Sequence, residues 1–244
     1  MKFWRRANAA RWTAALALGM TMLALAGCPA PPPRPAPSAA PVQTVPPAPA
    51  PVAGRSFRVL PAESEVRLLV YRTGALARLG HNHVITSHDL SGTIVLPDDP
   101  TRAYFAIVMP VARLAVDEPG PRAEEGADFS AEVSDDARAG TRANMLKPEV
   151  LDGDRFPAIT VTSASIARAG DAYDVAFAVD LRGAQHVLRV PVRLTVEADR
   201  LTATGELSFR QSELGLTPFT ALMGALAVQD EMRVKFRIRA QAAP

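Results

Sequence analysis

Apolar and polar residues alternate with a period of two through the C-terminal half of the chain. Between positions 173 and 181 every odd-numbered residue is apolar, whereas Asp174 and Asp180 have the other parity. The same alternation returns in residues 186–196, 201–209 and 232–238. A period of two is typical of β-strands that bury one face. The pattern therefore predicts four strands, each with one apolar face.

The remaining hydrophobic pattern predicts more strands and little helix. A helix is predicted over 135–147, with Ser134 as its N-cap and Pro148 beyond its end, and a short helical turn over 219–226. Antiparallel strands with one polar face form a barrel or a sandwich. We favour an all-β, antiparallel barrel of about eight strands with one or two short helices. The further strands are predicted over 64–72, 92–96, 103–114 and 158–166, with 57–60 as an additional candidate.

The first residues have the layout of a bacterial lipoprotein signal. A basic stretch ends at Arg11, and the uncharged run from Trp12 to Ala26 is shorter than the ~20 residues that span a bilayer. The sequence Leu25-Ala26-Gly27-Cys28 resembles the lipobox, whose cysteine becomes lipidated after cleavage. Cys28 is the only cysteine. We expect a signal peptide over 1–27 and lipid attachment at Cys28; a plain secretory signal or an uncleaved anchor is the alternative.

Proline marks the next segment as a linker. Half of the 22 prolines lie between Pro29 and Pro51. Such a composition favours polyproline II and cannot form a core. We expect a disordered linker over 28–54, which reaches roughly 80 Å at ~3.1 Å per residue, and a folded domain over 55–244.

The charge balance argues against a nucleic-acid partner. The whole chain has a formal net charge of +2, but residues 1–27 hold four basic residues and no acidic one. The remainder carries 23 basic and 25 acidic residues, whereas a nucleic-acid-binding domain normally shows a basic footprint.

Three segments resemble the YceI family of bacterial periplasmic proteins. They are Leu151-Asp152-Gly153-Asp154-Arg155-Phe156-Pro157-Ala158-Ile159-Thr160-Val161-Thr162-Ser163, Val179-Asp180-Leu181-Arg182-Gly183-Ala184-Gln185-His186 and Ser208-Phe209-Arg210-Gln211-Ser212-Glu213-Leu214-Gly215-Leu216. Their order and spacing extend the resemblance over about 55–244. The resemblance implies a lipocalin-like barrel in the periplasm that binds an isoprenoid or another long apolar lipid, with no cofactor and no enzymatic activity.

The segment from Arg78 to Ile85 departs from the family's usual glycine-x-phenylalanine element and carries histidines. His81 and His83 have the i, i+2 spacing that puts two side chains on one side of a strand, and His88, Asp89 or His186 could complete a metal site. Zinc needs three or four such ligands. The alternatives are therefore a polar mouth for a ligand head group and a metal-binding or metal-assisted site. A serine hydrolase is not indicated, because no Gly-x-Ser-x-Gly elbow occurs.

Two charged segments and the oligomeric state complete the predictions. The last strand carries a basic stripe, Arg233, Lys235, Arg237 and Arg239. This stripe is either a solvent-exposed outer face or a surface that is attracted to anionic membranes. The acidic segment 117–136 is predicted to be mostly loop over one barrel end. Whether the chain forms a homodimer is left open.

The candidate ligand-binding residues are His81, His83 and the positions of inward parity Val66, Leu68, Val70, Ile107, Val175, Phe177, Val179, Val190, Leu207, Phe209, Val234 and Phe236.

Overall fold

The computed structural model describes residues 52–243, so the predicted signal peptide, Cys28 and nearly all of the proline-rich segment lie outside the described residues. Two α-helices within this range, α1 (Pro119–Glu124) and α2 (Asp135–Met145), lie between the sixth and seventh strands. No helix in the described range is long and apolar enough to cross a membrane. The strands are β1 (Arg55–Val59), β2 (Glu65–Thr73), β3 (His83–Ser87), β4 (Ser91–Leu96), β5 (Tyr104–Pro110), β6 (Ala115–Val116), β7 (Ala158–Ala169), β8 (Ala172–Leu181), β9 (Ala184–Glu197), β10 (Arg200–Arg210), β11 (Thr220–Ala221) and β12 (Leu226–Ala242).

Eight antiparallel strands close into a barrel, and three of the eight are interrupted. β1 and β2 both pair with β12, so they form one strand that is broken at the 3-10 turn Pro61–Glu63. On the other side, β3 pairs with β2, and β4 pairs with β1. The next strand is again in two parts: β6 pairs with β3, and β5 pairs with β4. The barrel closes because β1 pairs with both β4 and β12. The predicted fold class is confirmed. Around the barrel the order is β1/β2, β3/β4, β5/β6, β7, β8, β9, β10 and β12.

The strands predicted from alternation are present, and their apolar parity faces inward. Val175, Val190 and Leu201 are all buried. The hairpin between β8 and β9 has a two-residue loop, Arg182 and Gly183, with φ values of 54° and 73°. Positive φ at both positions is the turn that matches the twist of a β-hairpin, and glycine adopts it without steric cost. The local sequence therefore sets the register of these two strands.

β3 is a strand that is not among those predicted from the sequence. The side chain of Asn82 accepts a hydrogen bond from the backbone N–H of Arg72 at 3.0 Å and donates one to the carbonyl of Asp128 at 2.9 Å. These bonds hold the chain beside β2, so pairing continues through His83 into β3. Asn82, a residue type that is common in turns, is followed directly by a strand here because distant partners bond to its side-chain amide.

Three other predictions need correction, and one helix is confirmed. The helical turn predicted over 219–226 is a hairpin of β11 and β12 around the 3-10 turn Leu222–Gly224. The strand predicted over 103–114 ends at Pro110, and the predicted loop 117–136 contains α1, which has proline in its first turn. α2 matches the prediction over 135–147, since Ser134 Oγ accepts from the N–H of Ala137 at 3.2 Å.

The segment from Asp117 to Pro157 covers one end of the barrel. Arg142 on α2 donates to the carbonyl oxygens of Ala112, at 2.5 Å, and Leu114. Apolar residues at the end of α2 and after it pack against the buried Val111 and Leu114. This cover places α2 directly over the histidine-bearing strand β3.

Candidate functional site

The barrel encloses a cavity of about 520 Å³ with an almost entirely apolar wall. Both predicted histidines, His81 and His83, line it. The structure thus brings the predicted site residues to one cavity, and their contact with a ligand stays a prediction. The predicted apolar residues that line the cavity are Val66, Leu68, Val70, Ile107, Val175, Phe177, Val179, Val190, Leu207, Phe209, Val234 and Phe236.

The two ends of this cavity differ in chemistry. We call the region lined by Arg72, His81, His83, Thr141 and Asn144 the polar end. The opposite region has no charged lining residue, and the hydroxyl oxygen of its Tyr173 accepts a hydrogen bond from Arg168 at 3.4 Å. We call this region the apolar end; its lining includes Leu96, Phe105, Leu194, Leu201 and Ile238.

His83 is held at the polar end by a buried carboxylate. Its Nδ1 lies 2.6 Å from Oδ2 of Asp117, a side chain that is completely buried. Oδ2 of Asp117 is placed to accept a hydrogen bond from Nδ1, so Nε2 is the nitrogen that faces away from Asp117. Nε2 lies 3.4 Å from the hydroxyl of Thr141 on α2. The arrangement fixes the ring and aims one nitrogen at the cavity wall.

Asp117 is one half of a buried ion pair. Arg122 on α1 donates to Oδ1 of Asp117 at 2.6 Å, and the backbone N–H of Val84 donates to the same oxygen at 2.8 Å. Burial alone would raise the pKa of Asp117, but the hydrogen bonds of His83 and Val84 and the charge of Arg122 outweigh it and hold this pKa below its usual value. Asp117 is therefore ionised near neutral pH.

His81 lies beside this assembly in its neutral form. The ring centroids of His81 and His83 are 6.2 Å apart in an edge-to-face arrangement. Burial, followed by the nearby charges of His83, Arg122 and Arg72, lowers the pKa of His81 below its ordinary value. Near neutral pH this ring offers one N–H donor and one acceptor nitrogen. The polar end thus combines one imidazole fixed by Asp117 with the neutral imidazole of His81, a hydroxyl and an amide.

The described residues bring few candidate metal ligands together. Nowhere in residues 52–243 do three or more His, Cys, Asp or Glu side chains form a group that could hold a metal ion. His186 packs near Gly215 and does not line the cavity. His88 lies on the outer surface, where its Nε2 is 3.0 Å from Glu118. Within the described residues, neither His88 nor His186 therefore joins His81 and His83 in a group of ligands, and the metal alternative stays a prediction.

The basic stripe on β12 is largely neutralised by acidic neighbours. Arg233 pairs with Glu206, and Lys235 lies 2.5 Å from Glu125. Arg239 lies 3.3 Å from Glu63. Three of the four basic side chains on this solvent-exposed outer face thus have acidic partners, and Arg237 has none among residues 52–243.

Several polar-end residues are not predictable from local sequence pattern. Asp117 lies 34 residues from His83, and Thr141 lies 58 residues from it. Asp117 stands in an acidic segment that reads as solvated loop, and Thr141 stands within a polar helix. No short-range motif links them to the histidines, because the link is the three-dimensional closure of the barrel end.

Fold and cavity together define the class of protein: a closed, antiparallel, lipocalin-like β-barrel with an apolar interior. The chain belongs to the YceI-like family, because the model of the YceI-like domain matches residues 57–240. A barrel of this family is consistent with the binding of a hydrophobic ligand. No curated protein matches the sequence.

Solved structures resemble this chain, and that of BcnA supports the fold with a TM-score above 0.5. The crystal structure of BcnA from Burkholderia cenocepacia is similar with a TM-score of 0.55 and 18% identity, over 75% of this chain and 99% of that one. The YCEI protein of Campylobacter jejuni matches with a TM-score of 0.45 and 9% identity, over 64% of this chain and 82% of that one. At these identities the likeness concerns the fold alone.

Proposed function

We propose that this protein is a lipid-anchored protein of the bacterial envelope whose barrel binds one long, isoprenoid-like or similar apolar lipid. The observation that carries the proposal is the apolar cavity of about 520 Å³ with polar groups gathered at one end. This volume falls within the ~300–1,000 Å³ of typical small-molecule sites. The inward-facing residues of four consecutive long strands, β8, β9, β10 and β12, supply a large part of the wall, so the cavity is a property of the fold.

The polar end supports an amphiphilic ligand over a plain hydrocarbon. The neutral imidazole of His81, the Thr141 hydroxyl and the Asn144 amide provide both donors and acceptors beside an otherwise apolar space. Burying a polar head group without hydrogen bonds is costly, so a head that bonds here is favoured over one left in the apolar end. The ligand therefore lies with its head beside His81 and His83 and its tail toward Leu201.

The sequence supports attachment of this barrel to a membrane through Cys28. The lipobox-like Leu25-Ala26-Gly27-Cys28 precedes the proline-rich linker over 28–54, and the barrel begins at Arg55. Two acyl chains already give stable anchoring. In this proposal the barrel domain stands in the periplasm, the linker sets its distance from the bilayer, and no cofactor or catalytic step takes part.

Native mass spectrometry of the protein purified from its envelope, followed by lipid extraction, tests the proposal. One apolar lipid per chain is the expected result. The variants Phe177→Glu and Val187→Glu make a matched pair, since Phe177 lines the cavity whereas the side chain of Val187 on β9 is 62% exposed on the outside. Phe177→Glu should lose the lipid, and Val187→Glu should keep it.

The same pair contains the outcome that would refute the proposal. If Phe177→Glu folds with the circular dichroism spectrum of the unaltered protein and keeps its lipid, the cavity is not the binding site. If the unaltered protein remains empty when incubated with lipids extracted from the envelope, the binding function itself is wrong.

A further inference from the structure

Two neighbouring loops form a rim beside the polar end of the barrel. The first is residues 74–80, between β2 and β3, and the second is residues 217–225, which includes the β11–β12 hairpin; together we call them the rim loops. The N–H of Leu76 donates to the carbonyl of Ala225 at 2.8 Å, which joins the two loops. Their position is fixed because Thr73 and Ala227 pair in the sheet directly below them.

The rim loops expose large apolar side chains. Met223 is fully exposed, Leu79 and Leu222 are exposed by 62% and 61%, and Phe219 by 37%. Leu222 and Met223 have φ values of 50° and 55°, a left-handed conformation that side-chain-bearing residues rarely adopt. The hairpin tip thus holds two apolar side chains in an unfavourable backbone conformation and away from the barrel core, so core packing does not account for them.

The charge pattern of this rim differs from that of the rest of the barrel. Residues 73–83 and 215–229 contain no aspartate or glutamate, and Arg78 is the only lysine or arginine among them. Acidic residues elsewhere neutralise the basic stripe of β12. An apolar surface with one cation and no anion is suited to a layer of anionic lipid head groups.

The rim is continuous with the cavity. Gly80 and Phe219 belong to the rim loops, and Leu226 and Ala227 stand at their base; all four line the cavity. His81, the next residue after the first rim loop, belongs to the polar end. Whatever covers the rim is therefore in contact with the place where a ligand would enter.

We propose that the rim loops are a membrane-docking surface, with Leu79, Leu222 and Met223 inserted among the lipids of an anionic bilayer and the polar end of the cavity facing that bilayer. This inference does not depend on the identity of the cavity ligand. A protein partner fits less well, because a few side chains at two loop tips are far fewer than the roughly 20–30 residues per side of a stable protein interface. The rim also lacks the paired charges that fix the orientation of such partners.

Site-specific fluorescence on the full-length protein tests the docking. Met223→Cys and Val196→Cys each add one exposed cysteine, labelled with an environment-sensitive nitrobenzoxadiazole group. Val196 is a matched control: its side chain is 40% exposed, and it pairs with Leu201, which pairs with Ala240 at the other end of β12. The protein without an added cysteine gives the labelling background of Cys28.

The labelled proteins are reconstituted in vesicles of phosphatidylcholine and phosphatidylglycerol that contain spin-labelled lipid. The expected result is a blue-shifted emission for Met223→Cys, with quenching by the spin-labelled lipid several-fold stronger than for Val196→Cys. Adding Leu79→Ser and Leu222→Ser to Met223→Cys should remove most of the difference, because these changes remove most of the apolar side chains that enter the lipid.

Two outcomes would overturn the inference. Equal quenching at the two positions would mean that the rim does not enter the bilayer. A blue shift at Met223→Cys without lipid quenching would mean that protein covers the rim, and its dependence on protein concentration would then identify a second copy of this chain as the cover.

Discussion

The polar end and the apolar end of the cavity are built from different kinds of sequence information. At the apolar end the core is formed by Phe57, Leu90, Ile94, Leu201 and Ile238, which lie on strands or next to them. At the polar end a buried ion pair, Asp117–Arg122, is clamped between β3 and the segment that contains α1. The first arrangement is general apolar packing, and the second is a set of specific partners.

This difference assigns separate roles to the two ends. Apolar packing stabilises the barrel in proportion to the area that it buries and does not distinguish one tail from another. A buried ion pair adds little net stability, but it leaves a costly unpaired charge when one partner is removed. We therefore expect substitutions at the apolar end to change stability and the packing of the lipid tail, and substitutions at the polar end to change head-group recognition as well.

The largest expected effect is a charge at the apolar end. Leu201→Asp places a carboxylate at a position that is 1% exposed, in a core cluster of apolar residues without a cation. The free energy of unfolding should fall by roughly several kcal/mol. The neighbouring Thr202→Asp points outward from β10 and pairs across to Arg239, so it is the control. Urea unfolding should show loss of the cooperative transition for Leu201→Asp only; two similar transitions would contradict the assigned inner face.

Removal of the buried carboxylate should come next. Asp117→Asn leaves Arg122 without its anion and leaves one acceptor oxygen where His83, Val84 and Arg122 now share two, and breaking such a pair costs about 3–5 kcal/mol. Asp128→Asn changes an exposed aspartate in the same segment and should be nearly neutral. Urea midpoints measure the difference. An unchanged midpoint for Asp117→Asn would show that the ion pair does not hold this end together.

These two substitutions also show which part of the molecule can be predicted from its sequence. Leu201 and Phe177 were identifiable as inward-facing because period-two alternation is local, and the eight-stranded barrel follows from it. The structural role of Asp117 was not identifiable, because it depends on contacts to Val84 and Arg122 that arise only when β3 and α1 meet. β3 itself was missed for the same reason. Asn82 favours a turn in isolation, but in the folded protein its side chain bonds to Asp128 and the strand begins at the next residue.

A smaller effect is expected for the hydroxyl at the polar end. Thr141→Val keeps the shape of the side chain but removes the group that lies 3.4 Å from Nε2 of His83. The loss of one hydrogen bond to a ligand head is about 0.5–1.5 kcal/mol, so affinity for the C20 alcohol geranylgeraniol should fall a few-fold. Affinity for the hydrocarbon squalene should not change. Isothermal titration calorimetry of both ligands checks this, and an equal loss for both would place the head elsewhere.

The smallest effect is a pH dependence at His81. Because the folded protein holds the pKa of His81 below its ordinary 6.5, the unfolded chain takes up the proton at a higher pH than the folded one. This residue's contribution to the free energy of unfolding therefore decreases as pH falls below 6.5 and becomes constant below the folded pKa. His81→Gln should flatten that decrease relative to the unaltered protein, as measured by urea unfolding across this window. A steeper decrease in His81→Gln would contradict the sign.

The account's central claim is that one amphiphile occupies the cavity with its head at the polar end. Nuclear magnetic resonance during titration with geranylgeraniol tests it directly, by following the imidazole nitrogens of His81 and His83 together with the methyl groups of Leu201 and Ile238. The account predicts that both groups of signals shift together and saturate at one ligand per chain. Shifts confined to outward-facing methyl groups, such as those of Val187, with unchanged histidine signals would contradict it.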